Sequence, residues 1–148
     1  MPTTTFAISL SGGTSKVIAS SSPGTLVVTP SSGLSDSADE GGPFSGSQVY
    51  TLQNAGTTAI DWTAAKTQTW VSLSAASGTL AAGDSTAVTA SINSGANSLD
   101  PGGFSDTITF TNTTNDRGST TRPVSLTVNS TDNYAESVTR NGIVFSFS

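Results

Sequence analysis

The sequence predicts an all-β protein folded as a two-layer sandwich, and two observations predict it. From Leu26 to Val128 apolar and polar residues alternate over short runs, the pattern of strands with one buried and one solvated face. Gly-, Asn-, Ser- and Pro-rich turns separate these runs at intervals suited to a sandwich.

Ahead of this region, Phe6, Ile8 and Leu10 alternate before Gly12-Gly13, and Val17-Ile18 follow. Residues 5–10 and 15–19 are therefore expected to pair as a hairpin. The Ser-Ser-Ser-Pro-Gly composition of residues 20–24 breaks both helix and strand and reads as a linker.

The main domain opens with Leu26-Val27-Val28-Thr29, stopped by Pro30, which has no N–H to give a ladder. Residues 31–47 read as a long loop. Val49 to Leu52 and Ala59 to Thr63 are expected to form a hairpin, with Asn54 and Gly56 accepting positive φ in its turn. Ile60 and Trp62 fall on one face. Trp70 to Leu73 is a further strand, and after Ala82-Gly83-Asp84 the run 87–92 turns Val88, Ala90 and Ile92 inward. Asp100-Pro101-Gly102-Gly103 is a turn signal before Phe104 to Thr111, where Ile108 and Phe110 face in. Arg122 to Val128 closes the domain with Val124, Leu126 and Val128 on one side. About seven strands at this spacing specify an immunoglobulin-like β-sandwich. Residues 130–148 read as a polar connector and a terminal strand, Ile143-Val144-Phe145 with Phe147, expected to pair with the N-terminal hairpin or another subunit because an apolar edge invites association. The expected organisation is 1–24 hairpin and linker, 25–129 sandwich, 130–148 connector and strand.

Composition narrows the chemistry. The 148 residues contain no cysteine and no histidine. No disulfide or thiolate site holds the fold, and the commonest general base and zinc ligand are missing. The net charge of -5, with five Lys and Arg in all, argues against nucleic acid as a partner. No run reaches the roughly 18 apolar residues of a membrane helix. The first residues lack the basic and apolar regions of a secretory signal, so the chain as written is expected to be made without export.

Candidate chemical groups mostly have ordinary structural uses. Asp36, Asp39 and Glu40 lie close enough to offer oxygen ligands, but their spacing is not that of an EF-hand. They read as a solvated acidic loop, with no metal and no cofactor expected. A glycosidase pair drawn from Asp61, Asp84, Asp100 or Asp106 has nothing to single it out among ten carboxylates. A nucleophilic serine would need a lysine or an N-terminal amine as its base, and neither Lys16 nor Lys66 lies in a Ser-x-x-Lys pattern. No catalytic residue is assigned. Trp62 is expected in the core and Trp70 at its end, which leaves the loop aromatics Phe44 and Tyr134 as candidates for contact with a glycan or neighbouring subunit. Asn112-Thr113-Thr114 and Asn129-Ser130-Thr131 match the glycosylation pattern, which chance supplies readily in so Asn- and Thr-rich a chain.

The segments Leu26 to Leu34, Gly42-Pro43-Phe44, Tyr50 to Gly56, Trp70 to Ser74, Ser77 to Leu80 and Phe110 to Thr114 resemble bacterial and phage Ig-like modules related to the BACON domain, over about residues 26–128. The resemblance implies a holding or binding module rather than an enzyme. Its expectation is a virion structural protein, a phage capsid-decoration or related surface protein, located on the virion surface and seated on the major capsid or another virion protein. Phe6, Ile8, Leu10, Ile143, Val144, Phe145 and Phe147 are then the expected particle or subunit contacts, and a homo-oligomer, such as a trimer, is compatible with them. The alternative is a carbohydrate-binding or adhesive module of an extracellular bacterial surface protein, contacting a host-surface glycan.

Overall fold

The computed structural model describes residues 7–8, 16–17, 20–131, 138–140 and 143–145. Nine strands build the sandwich: β3 (Leu26–Thr29), β4 (Leu34–Asp39), β5 (Ser47–Asn54), β6 (Ile60–Ala65), β7 (Val71–Leu73), β8 (Ser77–Leu80), β9 (Ser85–Ile92), β10 (Gly102–Asn112) and β11 (Thr120–Asn129). Two further pairs, β1 (Ala7–Ile8) with β2 (Lys16–Val17) and β12 (Val138–Arg140) with β13 (Ile143–Phe145), lie outside it in the chain.

The sheets have orders β3-β5-β9-β7 and β4-β11-β10-β6-β8. Alternation places the expected residues between them: Val88, Ala90, Ile108 and Phe110 are fully buried, and Val124, Leu126, Val128, Ile60 and Trp62 nearly so. The rings of Tyr50 and Phe110, from opposite sheets, meet edge to face at 5.4 Å and 62°, a favoured aromatic geometry. Gly78, opposite Trp62 on β8, leaves room for the indole, since a Cβ there would lie 2.9 Å from the ring.

Three sequence expectations need correction. The expected loop 31–47 contains β4, which pairs in parallel with β11 from Leu34↔Val124 to Asp39↔Asn129. This is an edge strand with few apolar residues, Leu34-Ser35-Asp36-Ser37-Ala38-Asp39, so its alternation is muted. The expected hairpin between Val49–Leu52 and Ala59–Thr63 is a crossover, because β5 and β6 belong to different sheets. Neither Asn54 nor Gly56 takes positive φ. Asn54 is instead fully buried, and Gly56 lies where a Cβ would meet the Pro23 carbonyl at 2.2 Å. Finally, β13 pairs with β12 inside the stretch expected to be a polar connector, in the register Val138↔Phe145, Thr139↔Val144, Arg140↔Ile143. The intervening residues are Asn141 and Gly142, the dipeptide that most favours two-residue hairpin turns. The N-terminal pairing, Ala7↔Val17 and Ile8↔Lys16, is the hairpin the alternation predicts.

The first strand of the sandwich switches sheets. β3 joins β5 in one layer, and after residues 30–33 the chain continues as β4 in the other. β3, β4 and β11 all run the same way. Leu26 therefore sits beside the β10–β11 turn, where its N–H donates to the Arg117 carbonyl at 3.0 Å, while Asn129 ends β11 beside Glu40, whose N–H it accepts at 2.9 Å. The chain enters the sandwich at one pole and leaves it at the other.

Candidate functional site

The point where the chain enters is held by polar groups taken out of water. Gly24 and Thr25 share a peptide group whose N–H donates to Asn54 Oδ1 at 3.2 Å. Its carbonyl accepts from Asn112 Nδ2 at 3.4 Å and Asn115 Nδ2 at 3.0 Å. Asn54 and Asn112 are 0% and 1% exposed, so their amides must find protein partners. Asn54 Nδ2 donates to the carbonyls of Thr58, Leu80 and Ala81, and Asn112 Nδ2 to Asn115 Oδ1 and the Arg117 carbonyl. Upstream, the Ser22 N–H donates to Thr57 Oγ1, and the Ser22 carbonyl accepts from the Thr57 hydroxyl and N–H. The linker expected over residues 20–24 is thus bonded to the sandwich from Ser22 onward. Asn112, the first residue of one glycosylation-like triplet, has its amide nitrogen committed here and buried.

Arg122 is the buried cation. On β11 it takes a core-facing position between Thr121 and Pro123, 7% exposed. Its Nε donates to the Pro30 carbonyl at 2.8 Å, Nη2 to the Val28 carbonyl, and Nη1 to Thr121 O and Thr120 Oγ1. Three main-chain carbonyls and the Thr120 hydroxyl solvate this charge. The guanidinium ties the last strand to the first across the layers. Burial pushes the Tyr50 hydroxyl above its ordinary pKa, with the nearby Arg122 charge opposing the rise.

Asp106 is the buried carboxylate, 7% exposed. Burial opposes its ionisation, yet donors outweigh burial and hold it below the usual aspartate value: the Thr67 hydroxyl at 2.6 Å and the backbone N–H groups of Gln68, Thr107 and Thr67. It fastens the segment after β6 to β10. Asp36, expected in a solvated acidic loop, accepts from the N–H groups of Ser37, Ser45 and Gly46 and closes the loop that follows β4. Asp61 accepts from the Thr79 hydroxyl at 2.6 Å. Among the described residues no cluster of three carboxylates fit to hold a metal ion occurs. A shallow groove of about 580 Å³ borders Asp106 and is lined by Thr67, Ser105, Thr107, Thr109, Pro123, Val124 and Ser125. Asp106 is spent on structural donors, so the groove presents neither a free base nor a paired acid.

The structure distributes the sequence-derived contact residues unevenly. Phe44 lies in the core cluster at 9% exposure, so its ring has no free face to stack on a sugar. The loop 40–46 folds it inward, held by Asp36. Ile8 lies on β1, and Ile143, Val144 and Phe145 on β13. Phe6, Leu10, Tyr134 and Phe147 lie outside the described residues. Sequence reading missed Asn54, Asn112, Asp106 and Arg122 as fold-holding groups; a charged residue on the inward phase of an alternating strand, as at Arg122, was the available signal.

Comparison with solved structures shows the sandwich at low identity. The ASH/PapD-like domain 7 of human CEP192 matches with a TM-score of 0.55 and 13% identity, over 84% of this chain and 99% of that one. A protein of unknown function from Porphyromonas gingivalis matches with a TM-score of 0.56 and 16% identity, over 76% of this chain and 52% of that one. Both likenesses concern the fold alone. No curated protein matches the sequence. The profile of the viral BACON domain matches residues 25–129, the sandwich whose strands and poles are described above, and the chain belongs to the viral BACON domain family.

Proposed function

We propose that the protein is a non-enzymatic structural component of a virus particle, a capsid-decoration or related surface protein, with the Ig-like body displayed and the flanking hairpins attaching it. The observation that carries this reading is the division of the chain. The viral BACON match spans residues 25–129, and what flanks it includes the short pairs β1–β2 and β12–β13. An isolated two-stranded hairpin is marginal in water. Such elements persist when a partner covers them, and the sequence of β13, Ile143-Val144-Phe145, is apolar throughout. The major capsid protein or another virion protein is the proposed partner, and self-association, for example as a trimer, is compatible with it.

The non-catalytic reading is supported by the absence of histidine and by the structural commitments of Asp106 and Arg122. The carbohydrate-binding alternative loses Phe44 as a stacking platform and retains Tyr134. Immunogold labelling of intact purified particles with antibody against residues 25–129 tests the proposal. Labelling of the particle surface is expected; a protein absent from particles and found only on the host cell surface would overturn it.

A further inference from the structure

We propose that the sandwich is a load-bearing link, arranged to resist tension applied between its two ends. The first strands, β3 and β4, run parallel to the last, β11, and the chain enters at the pole of Leu26 and Arg117 and leaves at the pole of Asn129 and Glu40. A pull on the two ends is therefore directed along the strands.

Direction decides how hydrogen bonds share the load. Each is weak on its own, so a ladder opened from one end yields bond by bond. A ladder sheared along its axis yields only when its bonds fail together. β11 is gripped on both sides, by six paired positions of β4 and nine of β10. Sliding it toward its pole shears both ladders at once.

The entering end is reinforced where tension arrives. Ser22 is bonded to Thr57, the Gly24 N–H to Thr58 Oγ1 at 2.7 Å, and the Gly24–Thr25 peptide to Asn54, Asn112 and Asn115. Beyond these ties, β3 is gripped by β5 along four positions. Arg122 then links the two loaded strands directly: from β11 it holds the carbonyl of Val28 on β3 and that of Pro30 just after it. Tension entering β3 passes through this guanidinium to β11 without crossing the middle strands. A core that needed only closure at its ends would not require the first and last strands to be bonded across the layers.

Optical tweezers on the full chain test this, with handles attached through introduced thiols, the only ones in a chain that lacks cysteine. One variant carries Ser20→Cys and Thr131→Cys, exposed positions at opposite poles; the other carries Ser20→Cys and Arg117→Cys, exposed positions at the same pole. At one loading rate the opposite-pole pair is expected to unfold at more than twice the force of the same-pole pair, with equal stability of the two variants in denaturant. A ratio of twofold or less, or a lower force for the opposite-pole pair, overturns the inference.

Discussion

Asn54 and Asn112, on strands of opposite sheets, hold the two ends of one peptide group: Asn54 Oδ1 accepts the Thr25 N–H, and Asn112 Nδ2 donates to the Gly24 carbonyl. Both side chains are buried, so either loss leaves polar groups stranded. Asn112→Ala and Asn54→Ala are each expected to cost about 2 kcal/mol in urea unfolding followed by tryptophan fluorescence. Because freeing one end of the peptide loosens the other, the double variant should cost about 1 kcal/mol less than the sum. Strict additivity would show that the two amides act separately.

The Asp106 carboxylate ties stability to acid pH. Its folded pKa lies below the usual aspartate value, burial being outweighed by the Thr67, Gln68 and Thr107 donors. Its contribution is then fully present above about pH 4, the unfolded value, and is lost as pH falls through the lower folded value. Asp106→Asn should cost about 2 kcal/mol at pH 7 and flatten the loss of stability below about pH 4, because an amide cannot accept from all four donors. A variant whose unfolding free energy falls with acid as steeply as that of the parent would contradict this.

Arg122 is expected to resist conservative replacement. Its bonds leave from three nitrogens toward Pro30, Val28, Thr120 and Thr121, a spread that a single ammonium does not reproduce. Arg122→Lys and Arg122→Met should each cost about 3 kcal/mol. Guanidinium chloride midpoints at matched ionic strength check this, and full rescue by lysine would mean that charge alone matters.

Phe44 separates packing from recognition. Buried in the core cluster, it should cost about 3 kcal/mol on replacement by alanine. Any loss of binding should then track the unfolded fraction measured by circular dichroism. A Phe44→Ala protein of parental stability that no longer bound a glycan would restore the ligand reading.

The strands with apolar inward faces were legible, because Val88-Ala90-Ile92, Ile108-Phe110 and Val124-Leu126-Val128 alternate without interruption. β4 was not, since an edge strand buries little and its Asp36 and Ser37 look like loop residues. The β5–β6 crossover read as a hairpin because Asn54 and Gly56 are turn residues by composition, whereas their use here is a buried amide and a close backbone approach. The ties made by Arg122 and Asn112 reach about ninety residues back along the chain, beyond any local pattern. The C-terminal hairpin carried a usable signal in Asn141-Gly142.

Co-sedimentation with purified particles stripped of the protein measures attachment through the flanking hairpins. The full chain should sediment with the particles, while variants lacking residues 1–19 or 132–148 stay in the supernatant with the sandwich still folded by circular dichroism. Equal sedimentation of a truncated sandwich would contradict the account.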